Sequence, residues 1–181
     1  MTFKLQSRIV LYLIWFPSNL TCCYERYGCC IVDNIVEAVQ RSNIYIYISI
    51  NAFYDELDRL LTSTQKSDKL FLLGDLNARL DRDFNICTDV IGHDRLGMQN
   101  SNEARLLETC AVHQLVVSNT LFRLSDKQKT SWMHPRSRHW HLADYVITRR
   151  RDIRDVKVAR AMRGAECWTD HRLIKPICSC H

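Results

Sequence analysis

The sequence lacks several features that would assign its class directly. It has no internal repeat, no low-complexity segment and no apolar run long enough to cross a bilayer. Its nine cysteines nowhere show the two-residue gap of a zinc site, and the cysteines at 178 and 180 have no partner cluster of suitable spacing. These absences argue against a membrane-spanning, repeat or zinc-finger protein, and the thiols are expected to be reduced.

The first 50 residues lack a helical or strand period that persists. Lys4 and Arg8 precede an apolar run at residues 9–16, which is similar to the start of a signal peptide. No small-residue cleavage site follows that run, so a nuclear or cytoplasmic location is favoured over secretion, and no stable membrane partner is expected. Residues 1–50 are predicted to be an unrelated or poorly folded leader, with one β-rich run at residues 44–50.

Charge is distributed unevenly along a chain whose composition is ordinary for one globular domain. From Leu121 onward there are 14 Lys and Arg residues against 6 Asp and Glu, whereas the first 120 residues carry 11 and 14. A basic C-terminal part suits a partner that bears phosphates. A solvated surface with counter-ions gives the same counts, so the charge does not decide between these interpretations.

Beyond residue 50, helical and strand patterns alternate. Asn51 is a candidate helix cap ahead of an apolar stripe that includes Phe53 and Leu57, and residues 100–103 resemble a capping box that begins a second helix. A continuous apolar run at residues 69–73 is typical of a strand buried on both faces. Further strands are predicted at residues 114–119, 130–133, 142–148, 156–159 and 171–174. This mixture predicts a layered α/β fold.

Three fragments next to predicted strand ends carry side chains suited to chemistry. They are Gly74-Asp75-Leu76-Asn77, Ala143-Asp144-Tyr145-Val146-Ile147 and Trp168-Thr169-Asp170-His171-Arg172. Each alone has an ordinary interpretation as a turn residue, a charge at a strand end or a capped turn. Together they supply carboxylates, an amide and an imidazole, which are the groups that phosphodiester hydrolysis requires.

In this order, the fragments resemble the endonuclease/exonuclease/phosphatase superfamily. The similarity extends to residues 53–57, 119–122, 129–137 and 162–165, and it is greatest to the nuclease domains of non-LTR retrotransposons and to craniofacial development protein 2-like proteins. The resemblance implies a four-layer α/β/β/α sandwich. Residues 51–176 would form its C-terminal half, with the N-terminal half missing and residues 177–181 as a tail.

The resemblance also implies a role for each residue of the site. Asp75 would orient or activate the attacking water, and Asn77 would hold the phosphate. His171 would face the phosphate and pair with Asp144. Asp170 and Asp75 would lie on the metal side, where Mg²⁺ is the implied ion and Mn²⁺ a substitute, because hard cations prefer oxygen ligands.

The sequence departs from the family upstream of residue 51. There the family supplies a Gln-Glu pair whose Glu is the main metal ligand, whereas Glu25 and Glu37 of this chain have no Gln before them. The sequence therefore predicts a DNA-endonuclease-like chain that binds Mg²⁺ weakly and has little or no activity. The alternatives are a non-catalytic remnant that binds nucleic acid or protein, and a small secreted or membrane-tethered cysteine-rich protein.

Basic residues beside an aromatic residue suggest where DNA would bind. Such residues suit sequence-independent contact with the phosphate backbone and stacking on a base. The candidates are Arg136, Arg138, Trp140, Arg149, Arg150 and Arg151. Trp140 is equally a candidate core residue. The family also includes RNA deadenylases and phosphatases, so the chemistry of the site does not by itself select DNA, and the sequence gives no indication of the oligomeric state.

Overall fold

The computed structural model of this chain describes residues 9–14, 35–40, 50–76, 78, 80, 90–91, 101–162 and 171–179. The strands are β1 (Ile9–Ile14), β2 (Ile35–Gln40), β3 (Lys69–Asp75), β4 (Leu115–Val117), β5 (Trp132–Met133), β6 (Trp140–His141), β7 (Asp144–Arg149), β8 (Val156–Ala161) and β9 (Ile174–Cys178). The α-helices are α1 (Ile50–Ser63), α2 (Ser101–Val112) and α3 (Asp126–Lys129), and 3₁₀ turns occur at Ser118–Thr120 and Arg150–Asp155.

A five-stranded mixed sheet forms the centre of the described structure. Its strand order is β2-β1-β3-β7-β4. The first three strands are parallel, whereas β7 is antiparallel to both of its neighbours. The prediction of a doubly buried strand at residues 69–73 is confirmed, because Leu70, Phe71, Leu72 and Leu73 are all buried and alternate between the two faces of the sheet.

Helices α1 and α2 cover one face of this sheet. Their apolar sides pack on alternate residues of the strands, including Leu70 and Leu72, and form a single hydrophobic core. Helix α1 begins at Ile50, so Asn51 does not cap it as predicted. Asn51 instead accepts a hydrogen bond from Arg105 of α2 at 2.7 Å, which links the two helices. A cap prediction from sequence could not include this distant partner.

The opposite face of the sheet carries the antiparallel pair β8–β9. Strand β9 contacts β7, and the sheet residues on this side, including Phe71, Leu73 and Val146, are buried. The predicted α/β class is confirmed, with helices, sheet and β8–β9 pair as successive layers. Strand β9 occupies Ile174–Cys178, so it follows the strand predicted at residues 171–174 and extends past the predicted domain boundary at 176.

Two strands of the described structure, β1 and β2, lie within residues 1–50, which are predicted to be an unrelated or poorly folded leader. Strand β1 pairs with β3 along its whole length, and β2 pairs with β1. The sequence of β1, Ile-Val-Leu-Tyr-Leu-Ile, is rich in β-branched and large apolar residues, which suit a strand beside a buried neighbour. Of the β-rich run predicted at residues 44–50, positions 44–49 lie outside the described residues, and Ile50 begins α1.

In the described part of the chain, no helix combines the length and the apolar character needed to cross a membrane.

Candidate active site

Two of the predicted site residues face each other across paired strands. Asp75 is the last residue of β3, Asp144 is the first residue of β7, and the two are directly opposite in the antiparallel register. Residues in this relation share a face of the sheet, with Cβ atoms about 4.5–5.5 Å apart. Two carboxylates at that distance repel each other, so this end of the sheet requires a positive or hydrogen-bonding group between them.

His171 supplies that group. Its Nδ1 lies 2.9 Å from Asp144 Oδ2, and its Nε2 lies 4.0 Å from Asp75 Oδ2. The side chains of His171, Asp75 and Asp144 are only 11%, 13% and 6% exposed. The hydrogen bond expected between His171 and Asp144 is therefore present, and the imidazole lies between two largely buried carboxylates.

The hydrogen bond to Asp144 determines which nitrogen of His171 is basic. An ionised carboxylate only accepts hydrogen bonds, so Nδ1 carries the proton in this contact. In the neutral ring Nε2 is then the proton acceptor, and it is the nitrogen directed toward Asp75. A proton taken up at Nε2 gives an imidazolium whose charge is stabilised by both carboxylates. This arrangement suits a group that accepts and returns a proton during a reaction.

Two buried polar side chains hold the main chain of Asp144. The Ser131 hydroxyl oxygen accepts hydrogen bonds from the main-chain N–H groups of Ala143 and Asp144 at 3.2 and 3.0 Å. The Asn119 amide donates to Asp144 O at 3.0 Å and accepts from Val146 N–H at 3.2 Å. Asn119 therefore continues the ladder where β4 has ended, and the main-chain N–H and C=O of Asp144 are both bonded to buried side chains.

Replacement of Asn119 by Ala should loosen β7 next to Asp144. The change leaves a buried carbonyl and the Val146 N–H without their partners, which costs on the order of 1–3 kcal/mol. We expect hydrogen exchange at the Val146 amide to accelerate by about 10–100-fold, as measured by NMR. Ser118→Ala is the matched control, because Ser118 bonds the carbonyl of Val146 rather than its N–H. Equal protection of that amide in both variants would contradict this role of Asn119.

Tyr145 holds the chain segment that follows Asp75. Its ring is buried on the helical side of the sheet, and its hydroxyl donates to Ala78 O at 2.8 Å. Burial raises the pKa of Tyr145 well above its ordinary value, so the hydroxyl keeps its proton. Its partner in the register, Gly74, has φ of 145°, a conformation that favours glycine because it lacks Cβ. Both residues therefore shape the end of β3.

Two curated proteins are similar to most of this chain. Craniofacial development protein 2 of Bos taurus is 38% identical over 122 residues, which are 67% of this chain and 20% of that protein. The protein of the same name from Tragulus javanicus is 37% identical over 122 residues, 67% of this chain and 21% of its own length. This similarity accompanies three motifs in the family's order, and two of them are joined by the His171–Asp144 bond. These matches, together with the order of the motifs, support the assignment of the chain to the endonuclease/exonuclease/phosphatase superfamily.

The matched segment spans about a fifth of the length of these relatives. No protein-family model matches the chain. The solved structure of an endonuclease/exonuclease/phosphatase family protein from Leptotrichia buccalis C-1013-b aligns with 70% of this chain and 41% of its own, with a TM-score of 0.43 and 16% identity.

The oxygen donors of the candidate active site fit a hard cation in part. Asp75 and Asp144 present carboxylate oxygens, the ligand type that Mg²⁺ prefers. Within the described residues, however, no group of three or more His, Cys, Asp or Glu side chains is arranged to hold a metal ion. Asp170, predicted as a metal ligand, and Asn77, predicted to hold the phosphate, lie outside the described residues. Of the two residues predicted as metal ligands, the described part of the site therefore contains only Asp75.

The predicted DNA-contact residues fall into two separate groups. Arg136 and Arg138 are exposed in the turn between β5 and β6, and Arg138 has φ of 57°. That pair of strands begins at Trp132, whose ring centroid lies 6.3 Å from that of His171. These two arginines thus belong to a β-hairpin that starts beside His171.

The arginines after β7 lie at the other end of that strand from Asp144. Arg149 is the fifth residue after Asp144 along the extended chain, a distance of roughly 17 Å. Arg149 donates to Asp68 O and Gln65 O, and Arg151 also donates to Asp68 O at 2.8 Å. These side chains fasten the loop between α1 and β3. A role in DNA contact stays a prediction for them and for Arg150.

Sequence reasoning missed Asn119 and Ser131 as residues that support the site. Asn119 and Ser131 lie in segments that carry the family resemblance, yet no role was assigned to them. The available signal is a polar residue inside a predicted strand or directly after one, at a position expected to be buried. Their partners are main-chain atoms 12 to 27 residues away, so sequence alone could not identify the contacts.

Proposed function

We infer that this chain is a phosphodiester hydrolase of the DNA-endonuclease type whose activity is weak or absent. The observation that supports hydrolysis is the position of His171, with Nδ1 2.9 Å from Asp144 and Nε2 4.0 Å from Asp75. The proposal places the chain in the nucleus or cytoplasm, with DNA as its partner and Mg²⁺, replaceable by Mn²⁺, as its cofactor.

In this proposal His171 carries the proton of the reaction. Asp144 keeps the proton on Nδ1, so Nε2 of the neutral ring can accept a proton from a water. In the imidazolium, Nε2 can donate a hydrogen bond to a phosphoryl oxygen or return the proton to a leaving oxygen. The low exposure of both side chains strengthens their electrostatic interaction. General acid-base transfer of this kind contributes about 10²–10⁴ in rate.

Asp75 would orient the attacking water. Its carboxylate lies on the same face of the sheet as Asp144 and within 4.0 Å of His171 Nε2, so a small group held by Asp75 is also near that nitrogen. A bound Mg²⁺ would neutralise phosphoryl charge that otherwise repels the nucleophile. Asp75 and Asp170 are the residues proposed to hold it.

Weak activity is proposed because the family's Gln-Glu pair has no counterpart in residues 1–50. Glu37 is the third residue of β2, well before the end of that strand, and Glu25 lies outside the described residues. A site without its main carboxylate would bind Mg²⁺ weakly. Loss of one well-placed group that stabilises the transition state costs about 10²–10³ in rate, and loss of a metal ligand is expected to cost at least as much.

Conversion of supercoiled plasmid to its nicked form tests this proposal, because a single cut per plasmid is detected. With Mg²⁺ we expect nicking at least about 10²-fold slower than by a complete nuclease of the superfamily, and none with EDTA. Cleavage that persists in EDTA would overturn the metal-dependent mechanism. Nicking as fast as that of the complete nuclease would overturn the proposed impairment.

A second candidate function is DNA binding without cleavage. It is favoured by the excess of positive charge after Leu121 and by the exposed Arg136 and Arg138 on the hairpin that begins beside His171. Under this alternative the same face would bind the phosphate backbone without regard to sequence. A plasmid that is bound at low salt yet never nicked, in Mg²⁺ or Mn²⁺, would support it over hydrolysis.

A further inference from the structure

The arginine that follows the site histidine contacts three separate parts of the fold. The main-chain N–H of Arg172 donates to Ser131 O at 2.6 Å. Its guanidinium Nη1 donates toward Lys127 O at 3.2 Å and Thr130 O at 3.3 Å. Its Cζ lies 3.4 Å from the ring centroid of Trp140. Arg172 thus joins β6, the start of β5 and the C-terminal end of α3.

These contacts require the shape of a guanidinium. A planar guanidinium stacks on an aromatic ring while its N–H groups donate in the plane, whereas the ammonium of lysine acts as a point charge. The carbonyls of Lys127 and Thr130 lie in the last turn of α3 and just after it, where helix carbonyls lack partners within the helix. One side chain therefore satisfies acceptors and packs on Trp140 at the same time.

Ser131 connects this arrangement to the other half of the His171–Asp144 pair. Its carbonyl accepts the N–H of Arg172, and its hydroxyl oxygen accepts the N–H of Asp144. The two segments that carry the imidazole and the carboxylate are thus attached to the same residue. The backbone on one side of His171 is fixed by Arg172, and Trp132 forms an antiparallel bridge to His171 itself.

We propose that Arg172, stacked on Trp140, is a positioning residue that holds His171 at hydrogen-bonding distance from Asp144. The proposal rests on the use of His171 as the proton carrier of the site. In this arrangement the Arg172 guanidinium covers one face of Trp140, so the indole supports His171 instead of offering that face to a DNA base. Loss of the guanidinium lets His171 rotate away from Asp144.

The experiment records the imidazole signals of His171 by NMR in ¹⁵N-labelled full-length protein. The low-field Nδ1 proton is assigned by its disappearance in His171→Gln. We expect Arg172→Ala to abolish this signal, and we expect Arg172→Lys to do the same although it keeps the charge. The control is Arg123→Ala, which removes an exposed arginine outside the contacts described above and should leave the signal in place.

The outcomes separate positioning from a general effect on stability. A wild-type Nδ1 signal in a folded Arg172→Ala or Arg172→Lys variant would overturn the proposal, even if the melting temperature fell. If Arg172→Ala does not fold, Arg172→Lys and Trp140→Leu decide in its place, and retention of the signal in both counts against positioning. A wild-type protein without the low-field proton would also overturn it.

This measurement does not depend on cleavage, so its failure is distinct from failure of the proposed hydrolase function. Hydrolysis of bis(p-nitrophenyl) phosphate provides the second readout. There, misplacement of His171 by Arg172→Lys should lower kcat by up to about 10²-fold while KM stays unchanged. A change confined to KM would assign Arg172 to substrate binding and overturn the positioning role.

Discussion

Replacement of His171 by Ala is expected to abolish the residual Mg²⁺-dependent nicking of plasmid DNA, and Asp144→Asn to reduce it by about 10²–10⁴. His171→Ala removes the proton carrier. Asp144→Asn keeps the shape of the side chain but allows its amide to donate to Nδ1, which selects the wrong tautomer of the imidazole. Nicking rates at several enzyme concentrations measure both effects.

The chain contains a matched control for this experiment. His113 follows α2 directly, and its Nε2 lies 2.7 Å from Oδ1 of Asp58 in α1. The two residues form a second His–Asp pair. His113→Ala removes an interaction of the same chemistry far from Asp75, and we expect it to leave nicking unchanged. Cleavage that survives His171→Ala would come from a contaminating nuclease or from a different site, and it would remove the support for the proposed mechanism.

Changing Arg136 and Arg138 to Ala should weaken DNA binding equally for all sequences. If each arginine neutralises one phosphate, the slope of log K against log salt concentration becomes shallower by about 1.8, because each contact contributes about 0.9. Both side chains are exposed on the hairpin beside the site, so the fold should be unaffected. Fluorescence anisotropy at several salt concentrations measures the slope, and an unchanged slope would exclude the hairpin from DNA contact.

The pair Arg149 and Arg151 provides the comparison for that result. If all three arginines at 149–151 contact phosphates, they contribute about 2.7 to the slope, at about 0.9 for each contact. Because Arg149 and Arg151 bond to Asp68 O and Gln65 O, changing both to Ala should lower the free energy of unfolding, on the order of 1–3 kcal/mol. A larger change of slope in the Arg149 and Arg151 variant than in the Arg136 and Arg138 variant would assign DNA contact to the arginines after β7 instead of those of the hairpin.

Local patterns predicted the elements that bury apolar surface. The run at residues 69–73 and the stripe containing Phe53 and Leu57 depend on neighbours within a turn or a strand, and both elements are present. The association of Asp144 with His171 was predicted from family motifs, since nothing in the local sequence connects residues 27 positions apart. That association is present as a hydrogen bond.

What the sequence did not predict depends on partners that are distant along the chain. The apolar run at residues 9–16 is similar to a signal peptide when considered alone, whereas its residues Ile9–Ile14 form β1, which pairs with β3. Arg149 stays a predicted DNA-contact residue, and its bonds to the carbonyls of the α1–β3 loop could not be predicted because those carbonyls are 81 and 84 residues away in the chain. Trp140 and Arg172 are 32 positions apart, and neither sequence context indicates that they stack.

The direct opposition of Asp75 and Asp144 makes the site sensitive to errors in strand pairing. Successive residues of a strand point to opposite faces, so a slip of one position between β3 and β7 would turn one carboxylate toward the helices. At the other end of the pairing, the Thr148 hydroxyl donates to Leu70 O at 2.8 Å and opposes such a slip. A misaligned molecule could retain its secondary structure and most of its compactness, yet it would have no place for His171 between two acids. The low-field imidazole proton of His171 would therefore report correct pairing of β3 with β7 as well as the hydrogen bond to Asp144.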